Sequence, residues 1–170
     1  MKNKKNITMF WIIMLVIVFV ISNVLINHEF MFFGHFILTS ALIYPIIYFC
    51  ANRICEKGSV KQAIIATILA VIIQTLIFVG SHYLTNEIII YEYAIKILTA
   101  FFISVIINII LYNKFIKGTS AILRLVLVYI GVILINHFII YSTLDLMVLV
   151  KIFIALVLVL IEALLNKNIS

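Results

Sequence analysis

Residues 8–26 have the sequence TMFWIIMLVIVFVISNVLI, nineteen consecutive positions without a charged side chain. A helix needs about 20 mainly apolar residues to cross the hydrocarbon core of a bilayer. The run is also longer than the apolar part of a typical secretory signal, which covers about 7–15 residues. This stretch therefore predicts a transmembrane helix that is retained in the protein.

The whole chain shares this apolar character. Of its 170 residues, 66% are hydrophobic and only 11% are charged, and the mean hydropathy is +1.34. Soluble proteins contain about 45–50% apolar and about 25% charged residues. A chain with so few polar side chains cannot cover itself with a hydrated surface, so the composition excludes a soluble domain, a disordered chain and a disulfide scaffold.

Six apolar segments follow one another with short connectors between them. They cover approximately residues 8–26, 35–51, 62–82, 93–112, 121–141 and 146–165. Six helical crossings need about 120 residues, which leaves room for tails and loops but not for a soluble catalytic domain. The sequence predicts an all-α membrane protein in which residues 1–170 form a single bundle of six transmembrane helices.

The basic residues lie on alternate sides of these segments. Ten of the twelve fall before the first segment, in the second and fourth connectors, or after the last segment: Lys2, Lys4, Lys5, Arg53, Lys57, Lys61, Lys114, Lys117, Arg124 and Lys167. Four acidic residues lie on the opposite side: Glu29, Glu87, Glu92 and Asp145. Because cytoplasmic loops are enriched in Lys and Arg, the pattern predicts that both termini are cytoplasmic in a cell-membrane protein. This topology also explains the net charge of +6 without a nucleic-acid partner.

The sequence lacks the usual motifs of catalysis and cofactor binding. It contains no GxxxxGK[ST], GxGxxG, HExxH or GxSxG pattern. Cys50 and Cys55 are separated by four residues, which is neither a CxxC redox pair nor a zinc pattern, so we expect them to pack as small apolar side chains. We therefore expect a protein that is not an enzyme and that binds no metal or cofactor.

Several polar residues fall inside the apolar segments. By the predicted topology, Asn23, Gln74, Asn136 and Lys151 lie between the middle of the bilayer and its outer face, whereas Asn108 lies toward the cytoplasmic end. Polar groups within a membrane usually face the bundle interior or a cavity. We therefore predict a polar cavity that opens outward and binds a small solute through these five residues. Interhelical hydrogen bonding is the alternative role for each amide.

The remaining polar positions are predicted to have structural roles. Lys96 lies close enough to a helix end to extend its ammonium group to the interface, with Glu92 as a partner one turn earlier. Lys151, in contrast, has no acidic residue three or four positions away, so its partner must be another helix, a ligand or water. Glu162 is expected to be hydrated at the cytoplasmic end of the last segment, and Pro45 is expected to bend the second helix.

Fragments of the chain resemble a known family. The fragments are Ser22-Asn23-Val24-Leu25, Gly34, Tyr44-Pro45-Ile46-Ile47-Tyr48, Glu56, Gly58 and Ala63, followed by residues 108–115 and Lys151-Ile152-Phe153-Ile154-Ala155. Together they resemble the vitamin uptake family, also called queuosine precursor transporters. The resemblance implies a multi-pass carrier for a polar heterocyclic solute, such as a 7-deazaguanine base or a vitamin-like nutrient.

The chain departs from that family at its acidic positions. The family's Asn-Asp pair falls on Ala51-Asn52, the acid of the fourth helix falls on Asn108, and an Asp-x-Pro in the last helix is replaced by Leu158 and Leu160. A carboxylate accepts the N–H donors of a purine-like base more strongly than an amide does. The departures predict either a changed ligand or lost activity.

Two other functions fit the same sequence. One is the substrate-binding membrane subunit of an energy-coupling-factor importer. Such subunits typically dock on their partner through a small-residue stripe on the first helix, where this chain has bulky aliphatic residues. The other is a membrane scaffold or assembly factor, which would tolerate substitution of the intramembrane polar residues. The lipid bilayer and a small solute are the expected partners, and the sequence is also compatible with a homo-oligomer.

Overall fold

A computed structural model describes residues 2–25, 28–32, 35–85, 90–116, 122–141 and 146–167. Within these ranges the chain forms six long helices: α1 (Lys2–Val24), α2 (Ser40–Lys57), α3 (Val60–Thr85), α4 (Ile90–Leu111), α5 (Ile122–Tyr141) and α6 (Leu146–Lys167). A π-helical segment, Tyr112–Ile116, continues α4. Of the residues that carry the predicted charge pattern, Glu87, Lys117 and Asp145 lie outside the described ranges. The side chains of four more, which are Lys2, Lys4, Glu92 and Lys167, are not described either.

Five of the described helices are long and apolar enough to cross a bilayer. These segments are Lys5–Val24, Val60–Gly80, Ala94–Phe115, Ile122–Ile140 and Leu146–Leu165. They support the prediction of a multi-pass, mainly helical membrane protein, because a helix satisfies its backbone hydrogen bonds internally within hydrocarbon. The second helix differs from these five because its last turns carry Arg53, Glu56 and Lys57.

The predicted second segment, residues 35–51, is wrong at both ends. Its first residues form a β-strand, β2 (His35–Leu38), which pairs antiparallel with β1 (Glu29–Phe32). The helix then begins at Ser40 and continues to Lys57. The two strands contain three Phe and one Ile, residue types that favour strands, and apolarity alone does not separate a short strand from a helix.

Helix α2 occupies the centre of the bundle and contacts α1, α3, α4, α5 and α6. Thirteen of its eighteen residues are buried, including Asn52 and Arg53. The surrounding helices turn large aliphatic side chains outward, among them Ile17, Leu76 and Leu127. The least apolar helix is thus shielded from lipid by helices whose outer faces are suited to it.

Close packing fixes α1 against α2 and α4. The ring of Phe19 stacks on that of Phe101 with centroids 3.5 Å apart, and Trp11 meets Phe49 edge to face at 5.6 Å. At the opposite end of α2, an added Cβ on Gly58 would lie 2.6 Å from Cγ2 of Thr8. Because Thr8 lies in the first two turns of α1 and Gly58 directly follows the last residue of α2, these two helices run antiparallel.

The two cysteines behave as the sequence predicts. Neither Cys50 nor Cys55 forms a disulfide, and both are buried within the main apolar core. Their place on α2 makes them part of its packing surface.

Candidate functional site

A ladder of polar contacts joins α2 to α4. Its three hydrogen bonds are Tyr48 Oη to Ser104 Oγ at 3.1 Å, Asn108 Nδ2 to Asn52 Oδ1 at 2.8 Å, and Tyr112 Oη to Glu56 Oε1 at 2.8 Å. The partners in every pair are 56 residues apart, and successive pairs are four residues apart on each side. Residues spaced by four lie on one face of a helix. The ladder therefore places α2 and α4 side by side, running in the same direction.

The carboxyl group of Glu162, on α6, joins this ladder at its middle step. Its Oε2 accepts hydrogen bonds from Tyr129 Oη at 2.9 Å and from Asn52 Nδ2 at 3.3 Å. The guanidinium of Arg53 is close enough to interact with it electrostatically. The expectation that Glu162 is hydrated is wrong: it is 0% exposed, because α6 packs between α2 and α5 and turns this side chain inward.

Asn52, Asn108, Tyr129 and Glu162 form what we name the inner polar cluster. The four side chains come from α2, α4, α5 and α6, and all are 0% exposed. Asn52 is the central member, since it accepts from Asn108 and donates to both Tyr129 and Glu162.

Sequence reasoning missed Tyr129 and Glu162, although a signal for both was present. On α6, Glu162 lies eleven residues after Lys151, which is three helical turns, so both occupy one face. On α5, Tyr129 precedes Asn136 by seven residues and shares its face in the same way. Extending the helical period from the recognised polar residues would have pointed to both positions.

The five predicted site residues are all buried, so none of them faces lipid. Asn108 belongs to the inner polar cluster, and Asn136 donates from Nδ2 to Ser104 Oγ at 3.3 Å, which connects it to the ladder. Asn23 donates to the carbonyl of Phe19 in its own helix at 2.8 Å. Gln74 is buried on α3.

Lys151 is 2% exposed, and its ammonium nitrogen lies 5.2 Å from the centroid of the Tyr44 ring. An ammonium group above an aromatic face is attracted to the ring quadrupole. This contact provides part of the stabilisation that an acidic neighbour on α6 would otherwise supply. Lys96, in contrast, is exposed on α4, as a lysine that extends to the interface would be.

Amide and carboxyl groups that are buried in the described bundle include acceptor oxygens that receive no hydrogen bond. Five buried oxygens accept no hydrogen bond within the described part of the chain: Asn23 Oδ1, Gln74 Oε1, Asn108 Oδ1, Asn136 Oδ1 and Glu162 Oε1. Leaving a buried acceptor unsatisfied costs about 1–3 kcal/mol. A ligand rich in N–H donors would relieve that cost, and this makes the bundle interior the candidate site.

An apolar cavity of about 460 Å³ lies apart from this interior, between the hairpin, α2 and α6. It is lined by Phe30, Leu42, Leu146, Leu149, Val150, Phe153 and Ile154. The predicted polar residues do not line it, so it differs in chemistry from the polar cavity that the sequence predicts.

Comparison of the chain with protein families, with characterised proteins and with solved structures gives no match. The function is therefore argued from the chemistry of the bundle interior.

Proposed function

We propose that the protein is a carrier that moves a small, donor-rich polar solute across the membrane. The observation that supports it is the set of buried acceptor oxygens without a partner in the described chain, on Asn23, Gln74, Asn108, Asn136 and Glu162. They come from α1, α3, α4, α5 and α6, five helices that all contact α2. Interior polar groups of this kind mark substrate pathways in membrane proteins.

The solute class follows from the donors that such acceptors need. A purine-like base presents several N–H groups along one edge, and a carboxylate beside an amide accepts them well. The resemblance to queuosine precursor transporters suggests a 7-deazaguanine base. Asn52 and Asn108 stand where that family has acids, but Glu162 contacts Asn52 and brings a carboxylate to the same cluster. This supports a base-like ligand in spite of the departures.

The topology forms part of the same proposal. All six helices cross the cell membrane, with α2 as the shielded sixth crossing and both termini in the cytoplasm. The parallel orientation of α2 and α4 supports the crossing of α2. If α2 and α4 both cross the membrane in the same direction, α3, which connects them, must cross in the opposite direction. In a chain without a nucleotide-binding motif, transport is facilitated or ion-coupled.

A thermal-shift measurement on detergent-purified protein tests the ligand class. The probes are 7-deazaguanine, guanine and 1-methylguanine, which lacks the N1–H donor. A probe at one hundred times its dissociation constant raises the free energy of unfolding by about 2.7 kcal/mol. We expect stabilisation by the first two probes and much less by 1-methylguanine.

Two variants control this measurement. Asn108→Ala removes an acceptor of the inner polar cluster and should abolish the shift. Thr75→Ala removes an exposed hydroxyl that bonds only to the carbonyl of Val71 among the described contacts, and should leave the shift unchanged. Equal shifts with all three probes, or none with any, would reject a base carrier.

The importer subunit and the scaffold remain as contrasting functions. The outer face of α1 presents Ile13, Ile17 and Ile21, all exposed and bulky, which does not favour docking through a small-residue stripe. A scaffold would show no probe-dependent stabilisation and would tolerate Asn108→Ala.

A further inference from the structure

Glu162 has a hydrogen-bonding pattern that a carboxylate alone leaves incomplete. Its Oε2 accepts two hydrogen bonds, whereas its Oε1 accepts none within the described chain, although the residue is 0% exposed. An ionised carboxyl group offers about four lone-pair sites and is costly to bury when they are not satisfied. One side of this group is therefore suited to a positive species or to a proton.

A proton on Oε1 would change the group from acceptor to donor. Protonation forms one O–H bond from an Oε1 lone pair and a solvent proton, and release returns the carboxylate, with no redox change. The same cluster contains an unpartnered acceptor, Asn108 Oδ1, while the donors to Oε2 are compatible with both forms. The cluster thus offers surroundings for the protonated state.

The ionised state has support as well. Among the described residues, the charged and titratable groups that face Glu162 are Arg53 on α2, Tyr129 on α5 and Tyr112 on the π-helical segment. The hydroxyl of Tyr112 donates to Glu56 on α2. Helix α6 also contacts strand β2. The described side chains of β2, Ile37 and Leu38, are apolar and carry no charge. The positive charge of Arg53 favours the carboxylate, whereas burial among helices favours the neutral acid.

A proton fits this site better than a metal cation does. Hard cations such as Ca²⁺ take about 6–8 oxygen ligands. In the described part of the inner polar cluster, only Glu162 Oε1 and Asn108 Oδ1 are without a partner. Two such oxygens are too few for a coordination shell, whereas a single carboxyl oxygen is enough to bind a proton.

We propose that Glu162 binds and releases a proton within the bundle and thereby couples solute movement to a proton gradient. The coupling rests on the carrier function proposed above, whereas reversible proton binding does not. Asn52 and Tyr129 act as positioning residues, because they hold Oε2 and leave Oε1 as the protonation site.

Infrared difference spectroscopy of the full chain in lipid vesicles tests proton binding without a solute. The spectrum is recorded between about pH 5 and about pH 10, which covers the titration of buried carboxyl groups in proteins. We expect a protonated-carboxyl band that disappears reversibly as the pH rises. It should be missing in Glu162→Gln and present in Glu56→Gln, the matched control on the partly buried acid.

A second variant keeps the test decisive if Glu162→Gln does not fold. Tyr129→Phe removes the hydroxyl that donates to Oε2 and should shift the frequency of the band, because the carboxyl stretch depends on hydrogen bonding. A band that never titrates, one that is absent at every pH, or one that sodium ions remove at constant pH would overturn the proton site.

Uptake of 7-deazaguanine into proteoliposomes then tests the coupling. We expect an imposed pH gradient to drive accumulation with the parent protein and to have no effect with Glu162→Gln. Uptake that ignores the gradient, together with a titrating band, would overturn the coupling. A titrating band with no uptake and no binding of any base would instead reject the carrier function and leave the proton site standing.

Discussion

Asn108 donates a hydrogen bond from Nδ2 to Oδ1 of Asn52 over 2.8 Å, and this contact joins α4 to α2 in the middle of the bundle. It leaves Asn52 Nδ2 directed toward Tyr129 and Glu162. The orientation of one amide thus sets how α5 and α6 contact the central helix. Four helices depend on a side chain that sequence reasoning placed beyond the end of its span.

A double-mutant cycle measures this contact. We expect Asn52→Ala and Asn108→Ala to be coupled by about 0.6–1.7 kcal/mol in the free energy of unfolding, the range of interhelical hydrogen bonds in membrane proteins. Unfolding of detergent-solubilised protein provides the measurement. As a control, Asn23→Ala should add to Asn52→Ala without coupling, since Asn23 bonds within α1. Additivity of the first pair would mean that their contact has no energetic weight.

The end of α2 has no room for a side chain at Gly58. A Cβ there would clash with the side-chain oxygen of Gln62, and it would lie 2.6 Å from Thr8 Cγ2 and 3.0 Å from the carbonyl oxygen of Ile54. Overpacking of this kind costs about 1–3 kcal/mol, so Gly58→Ala should lower the melting temperature.

Two further variants calibrate the effect at Gly58. Gly131→Ala, on α5 with nothing within 4 Å of the added Cβ, should be neutral or stabilising by up to about 1 kcal/mol. Adding Thr8→Ser to Gly58→Ala removes the clashing methyl group and should recover part of the loss. If the double variant melts no higher than Gly58→Ala, the contact with Thr8 of α1 does not cause the loss of stability.

Lys151 is expected to serve function more than folding. A charge at the centre of a membrane helix costs about 2.5–3.5 kcal/mol on insertion scales, while a desolvated cation–π contact returns about 2 kcal/mol. Lys151→Met keeps a long flexible side chain and removes the charge. It should melt at the same or a higher temperature and yet lose solute binding or uptake.

Lys96→Met is the matched control, because Lys96 is exposed on α4. It should leave both stability and uptake unchanged. A lower melting temperature for Lys151→Met would reveal a structural role for that ammonium group, and unchanged uptake would remove it from the solute site.

Cysteine accessibility tests the predicted topology. Cysteines introduced at Asn3 and Asn168 should react with membrane-impermeant thiol reagents only after cells are opened, because both termini are predicted to be cytoplasmic. Cys50 and Cys55 are buried and should give little background. A cysteine replacing Met31 of the hairpin should react from outside. Labelling of either terminus in intact cells would contradict the six-span topology.

Local chemistry explains why most helices were predictable. The segments at residues 62–82, 93–112, 121–141 and 146–165 correspond to α3, α4, α5 and α6 within a few residues. Long apolar runs in hydrocarbon become helices because each backbone group must find a partner nearby in the chain. The hairpin is an exception, because β1 and β2 form backbone hydrogen bonds with each other and not within one segment.

The candidate site was predictable only in part. Asn23, Gln74, Asn108, Asn136 and Lys151 were singled out because polar groups are rare in such segments, and the structure buries all of them. Their partners were not predictable. Depth along a helix suggested that Glu162 is hydrated, but depth does not say which face a neighbouring helix covers.

The sequence by itself determined that this chain enters a membrane as a series of helices, and it marked the residues that do not suit lipid. Both conclusions follow from the hydrophobicity of neighbouring residues, because the free energy of transfer from water into hydrocarbon is roughly additive along the chain. Only the tertiary structure decided that α2 is central and that Asn52 meets Glu162, a residue 110 positions away. Such a hydrogen bond depends on the distance and orientation between side chains of packed helices. The hydrophobicity of a local segment carries no information about either.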